Sequence, residues 1–186
     1  VWFLVILCIF CLTLFLARTR SKVEMRNRIY HQWNEHFVVS KGKESYVRTT
    51  NDSNQTVVLS EAQSYGMLIT VAAAEKGQAQ QADFDRLYHY YLNHRLEGTQ
   101  LMSWKQTISN GKAKDEDHNA TDGDLYIAYA LLKAAQQWPK QAKDYQAQAK
   151  AILEDILAHN YNEETGVLTV GNWANQDSEF YHLMRT

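Results

Sequence analysis

The chain has 186 residues, 45% of them hydrophobic and 12% aromatic, enough for one medium domain and too many for a disordered segment. Nineteen Lys and Arg stand against 21 Asp and Glu, a net charge of −2, so there is no basic field to hold nucleic acid and a phosphate-rich partner is disfavoured. One Pro and eight Gly are few for a turn-rich β sandwich, and the abundance of Ala, Leu, Gln, Lys and Glu predicts an all-α fold.

Residues 1–17 carry no charged side chain, and Arg18, Arg20 and Lys22 follow at once. Seventeen residues at helical rise cover about 25 Å, the short end of what crosses a bilayer core. Two readings stay open for residues 1–21: an uncleaved membrane anchor, favoured because no small residue stands three before a cut site, or a secretory signal peptide. Under either, residues 22–186 are exported, facing outside the membrane or secreted. Both cysteines, Cys8 and Cys11, lie in this run and read as small apolar residues rather than a redox pair.

Beyond Lys22 the apolar spacing is helical. Ile29, Trp33 and Phe37 mark one amphipathic stretch; Tyr65, Leu68, Ile69, Ala72 and Ala73 a second; Phe84, Leu87, Tyr88, Tyr91 and Leu92 a third. Leu125, Ala128, Leu131, Leu132 and Ala135 predict a fourth helix, and Ala149, Ile152, Leu153, Ile156 and Leu157 a fifth, with Pro139 between them. Residues 42–59, 97–100, 109–119 and 160–169 read as polar connections.

Two helix starts carry the candidate chemistry. Ser60-Glu61-Ala62-Gln63 and Thr121-Asp122-Gly123-Asp124 fit the capping box and place Glu61 and Asp122 in first helical turns. Taken alone, each acid complements the helix dipole. Around them, however, small residues flank Glu61, and Asp122 and Asp124 crowd the mouth of an apolar helix. Repulsion and desolvation there raise at least one carboxyl pKa, which is how a neutral acid survives near pH 7.

Other chemistries find less support. His31, His36, His89 and His94 show only i+5 pairs, so no metal site is read and no cofactor is expected. Ser60 and Ser64 lack a nucleophile elbow. Asn51, Asn54 and Asn119 begin glycosylation sequons by pattern, and a glycan on Asn119 would obstruct Asp122.

The segment Ala120-Thr121-Asp122-Gly123-Asp124, followed by Ile127-Ala128, Ala130-Leu131-Leu132, Ala134 and Trp138, resembles the signature of glycoside hydrolase family 8. Ser60-Glu61-x-Gln63-x-Tyr65-Gly66-Met67, Leu101-Met102-x-Trp104-Lys105 and Gly171-Asn172-Trp173-Ala174 resemble its other motifs, in order. That family includes endoglucanases (cellulases), lichenases, chitosanases and xylan-acting enzymes. The resemblance implies an (α/α)6 barrel, of which about half of the twelve helices fit here, so the chain reads as the N-terminal part of a catalytic domain. It implies inverting hydrolysis of a β-linked polysaccharide, and the protein is expected to be a monomer. Glu61 matches the general acid that protonates the glycosidic oxygen, and Asp122 the acid that holds and distorts the sugar at the scission point. Trp104 and Trp173 resemble sugar-stacking platforms, while Trp33 and Trp138 are expected in the core. Asp124 either binds a sugar hydroxyl or serves the capping box; Tyr65 either touches substrate or lines the helix interface. Ala62 stands where the family commonly has Gly, which tightens the cleft beside the acid. An inverting enzyme needs a second carboxylate roughly 6.5–9.5 Å from the acid. No acid here has motif support as that base, Asp177 and Glu179 included, so the chain alone is expected to hydrolyse little or nothing.

Overall fold

The structure, a computed structural model, describes residues 2–50 and 55–174. The chain forms two units, Val1–His36 and Phe37–Thr186. The first is taken up by α1 (Trp2–Phe37), 36 residues long. The apolar run and the amphipathic stretch after it, separate in the sequence reading, are one continuous helix, because no Gly or Pro interrupts residues 18–28. Trp33 is half-buried there, its ring 6.0 Å from that of Tyr30. Among the described residues no helix is long and apolar enough to cross a membrane. The spanning-anchor expectation for residues 1–17 is corrected accordingly: among the described residues, the apolar part of α1 before Arg18, Arg20 and Lys22 does not make a span.

In the second unit β1 (Val38–Lys41) and β2 (Glu44–Val47) form an antiparallel hairpin. β3 (Thr56–Leu59) runs directly into α2 (Ser60–Ala74), and α3 (Gln81–Asn93) follows. β4 (Lys105–Ser109) and β5 (Lys112–Asp115) complete a three-stranded antiparallel sheet in the order β3-β4-β5. Then come α4 (Thr121–Gln137), a 3-10 turn at Pro139–Gln141, α5 (Ala142–His159), and a short hairpin of β6 (Tyr161–Asn162) and β7 (Val167–Leu168). α4 packs between α2 and α5, and α3 packs on β2 and α2. Met67, Val71, Phe84, Leu87, Ile127, Leu131, Ile152 and Ile156 fill the core, and Trp138 stands against Phe84 at 5.3 Å between ring centres.

The fold is therefore mostly helical but not all-α. Residues 42–59 and 109–119, read as polar connections, hold strands of only four or five residues, too short for an apolar alternation to register. The β4–β5 turn is Asn110-Gly111 with both φ angles positive, 51° and 74°, the geometry that suits a tight hairpin to strand twist.

Helix α2 also turns a different face inward from the one its apolar spacing predicts. Tyr65 and Ile69 are exposed, while Gln63, Ser64, Met67, Thr70 and Val71 are buried. Gln63 explains the rotation. Its Oε1 accepts from the Val47 backbone N–H at 2.9 Å, and its Nε2 donates to the carbonyls of Ser45 (3.0 Å) and Leu87 (2.9 Å), tying α2 to β2 and α3. Gln63→Leu would leave these buried groups unpaired and is expected to cost about 1–3 kcal/mol of stability, seen as a lowered Tm in thermal denaturation.

Candidate active site

The sheet brings both acid-bearing helices to one place. The Ser60 N–H donates to the Trp104 carbonyl at 3.0 Å, extending the β3–β4 pairing into the start of α2. On its other side the Trp104 N–H donates to the His118 carbonyl at 2.8 Å, and Ser103 bridges Asn119. Trp104 is thus the middle of three adjoining backbone segments, with α2 leaving one flank and α4 the other. Glu61 and Asp122 hold the same station, the second residue of each helix, where the dipole favours an anion.

The two helix ends meet at Gly123. A Cβ built there would lie 2.3 Å from Ser60 Oγ, 2.9 Å from Ser60 Cβ and 3.1 Å from the Glu61 nitrogen, so only glycine permits this approach. Glu61 is exposed; Asp122 is half-buried and accepts the Gly123 N–H at 2.8 Å.

Neither helix start is capped as its sequence suggests. The N-caps are Leu59 and Ala120, without side-chain cap bonds. Ser60 lies inside α2 with its hydroxyl buried and unpartnered among the described residues, and the Thr121 hydroxyl accepts from Asn160 Nδ2 at 2.8 Å. A reciprocal capping box does form at α3, between Gln80 and Asp83, where no hydroxyl residue advertises it.

A cavity of about 490 Å³ opens beside this junction, lined by Trp104, His118, Asn119, Ala120, Val170 and Trp173. Trp104 and Trp173 are 39% and 47% exposed, so both keep ring surface free for a ligand. Of the two expectations for Tyr65, the structure shows the helix interface: its ring lies 5.0 Å from that of Tyr126 on α4. Partial burial, then Tyr126 and Glu61, push its phenol above the ordinary value.

Asp124 is placed differently from the other candidates. It is fully buried, its Oδ1 accepting the Met102 N–H at 2.8 Å and its Oδ2 accepting Asn119 Nδ2 at 2.8 Å. Burial pushes its carboxyl up to about 7, against the pull of those two donors and with smaller upward pushes from Asp122 and Asp155. This is the raised acid that crowding at the mouth of α4 predicts. A folded-state pKa above the ordinary 3.8 means that the native state binds the extra proton, so this group's contribution to stability is full below about pH 4 and is lost as pH rises towards 7. Tm of the parent is expected to fall relative to Asp124→Asn across that window and to level off above it. Parallel curves would remove Asp124 as the source.

Sequence reasoning missed Asn119. It is 1% exposed and its amide is spent on internal bonds, which leaves no room for a glycan. Asn51, Asn54, Asp177 and Glu179 lie outside the described residues. Among the described residues no group of three or more His, Cys, Asp and Glu could hold a metal ion.

Packed helices bearing carboxylates at adjoining N-termini, beside a tryptophan-walled trough, have the make-up of a helical glycosidase domain. The chain belongs to the glycosyl hydrolases family 8, whose profile matches residues 6–183. A β-glucanase of Niallia circulans is 35% identical over 158 residues, covering 84% of this chain and 38% of its relative. An endoglucanase of Bacillus sp. strain KSM-330 is 35% identical over 122 residues, 64% of this chain and 26% of that protein. The solved β-1,3-1,4-glucanase of Paenibacillus sp. X4 superposes with a TM-score of 0.71 at 30% identity, over 87% of this chain and 42% of that one. The chain spans less than half the length of these relatives.

Proposed function

We propose that these residues form the acid-bearing part of a catalytic domain that hydrolyses β-1,4-linked or mixed-linkage glucan with inversion, acting as a monomer outside the cytoplasm. The observation that supports this reading is the meeting of α2 and α4 at Gly123, which brings the first turns that carry Glu61 and Asp122 together, with Trp104 of the trough paired to Ser60 in the same turn of α2. Glu61 protonates the departing glycosidic oxygen, Asp122 grips the ring at the scission point, and Trp104 and Trp173 offer flat faces to the apolar side of a pyranose. Tyr65, one helical turn on from Glu61 and against Tyr126, flanks the acid. Asp124, its oxygens held by internal donors, positions rather than contacts the sugar. Residues 1–21 act as the export signal.

Inversion requires a base across the bond, supplied on this reading from outside the described residues. Exposed Tyr65, Ile69, Tyr126, Tyr129 and Leu132 on α2 and α4 support the half-barrel reading, since the remaining helices of an (α/α)6 barrel would cover such a surface. The names of the two relatives and the solved structure favour glucan over xylan or chitosan.

The test is hydrolysis of carboxymethyl-cellulose, mixed-linkage glucan, xylan and chitosan by the intact enzyme. Cleavage of a glucan is expected, with Trp104→Ala raising KM about 2–12-fold at little cost to kcat. Glucan binding without turnover would recast the trough as a binding module. Inactivity on all four, with no binding, would overturn the proposal.

A further inference from the structure

The trough is built on a buried polar hub that the proposed chemistry does not use. Asn119 Nδ2 donates to Asp124 Oδ2 at 2.8 Å and to Asn160 Oδ1 at 3.3 Å, while its Oδ1 accepts the Asn172 N–H at 2.7 Å and Asn160 Nδ2 at 3.2 Å. Its own N–H donates to Asn172 Oδ1 at 3.3 Å. Asp124 adds the Met102 N–H at 2.8 Å, and Asn160 also reaches the Thr121 hydroxyl.

We propose that Asp124 and Asn119 are positioning residues, a clamp that sets the separation and tilt of the trough's two tryptophan walls. One arm of the hub holds the backbone N–H of Met102, two residues before Trp104; the other holds that of Asn172, the residue before Trp173. The side-chain arms are joined by the Asn119–Asp124 bond, beside the backbone pairing of Ser103 with Asn119 and of Trp104 with His118. The two tryptophans are 69 positions apart in sequence, and no bond between their side chains is needed to fix their relation once both backbones hang from one rigid pair. Rigidity follows from burial: the two hub side chains are 1% and 0% exposed, so a lost bond is not replaced by water and carries the full desolvation cost. Asn160 fixes which end of the Asn119 amide faces Asp124, because it donates to one end and accepts from the other.

The pairing is directional, which makes it testable by exchange. Asp124→Asn sets two amide donors face to face, Asn119→Asp sets two carboxylates face to face, and the double exchange restores one donor opposite one acceptor across that pair while giving up the longer 3.3 Å bond to Asn160 Oδ1. The measurement is the ¹⁹F NMR spectrum of the intact protein labelled with 5-fluorotryptophan, its five tryptophans assigned by single replacements. Both single exchanges are expected to move the Trp104 and Trp173 resonances while that of Trp138 stays, and the double exchange to return them most of the way. Unmoved Trp104 and Trp173 signals in the singles, or a double displaced as far as the singles, would overturn the clamp. If a single exchange does not fold, the double decides: a folded double with native-like tryptophan signals supports the clamp, and an unfolded double refutes it.

The functional consequence alone rests on the glycan reading: cello-oligosaccharide affinity should fall about 3–10-fold in the singles and recover in the double. A protein that binds no glucan but shows the expected tryptophan pattern would refute the glycan reading and leave the clamp standing. Glucan binding with unmoved tryptophan signals would refute the clamp and leave the reading.

Discussion

Glu61→Gln in the intact enzyme is expected to lower kcat on mixed-linkage glucan by about 10²–10⁴-fold, the usual contribution of a positioned general acid, with KM changed by less than about threefold. Glutamine keeps the size of the side chain, but it has no acidic proton to give the leaving oxygen. The tryptophan walls and Asp122 are untouched, so ground-state binding persists. A substrate whose leaving group needs no proton, such as a dinitrophenyl cello-oligoside, should lose far less. Equal losses on both substrates would place Glu61 in binding rather than in proton transfer.

Gly123→Ala is the second large effect. Its Cβ would overlap Ser60 Oγ and Cβ, which are held by the first turn of α2 and have little room to give. Overpacking of this kind costs about 1–3 kcal/mol, and a displacement near 1 Å between reacting groups costs about 10²-fold in rate. Tm and kcat/KM should therefore fall together, and Ser60→Gly in the same chain should recover part of both by removing two of the three colliding atoms. An Ala variant with unchanged activity would mean that the spacing of α2 and α4 does not set the spacing of the acids.

Helices α3, α4 and α5 were legible because their buried residues repeat at helical spacing, as Phe84, Leu87 and Tyr91 do. The acids and tryptophans were legible through their motifs. Helix α2 was not, since its inward face is made of Gln63, Ser64 and Thr70, polar residues whose hydrogen bonds are supplied by other elements and leave no trace in hydropathy. The β4–β5 hairpin did leave a signal, Asn110-Gly111, but its strands are mostly polar and barely alternate. Asn119 reads as a surface sequon until the fold buries it, because a pattern of three residues says nothing about the partners that Asp124, Asn160 and Asn172 provide. The hydroxyls of Ser60 and Thr121 look like caps for the same reason. Tertiary packing, not local sequence, decides what each one faces.

A crystal structure of the intact Glu61→Gln enzyme with a bound cello-oligosaccharide tests the central claim most directly. The account predicts a glucan chain lying along Trp104 and Trp173, with a glycosidic oxygen within about 2.6–3.2 Å of the side chain at position 61 and the adjoining ring hydrogen-bonded to Asp122. An oligosaccharide seated elsewhere, or side chains at 61 and 122 opening onto separate surfaces, would contradict it.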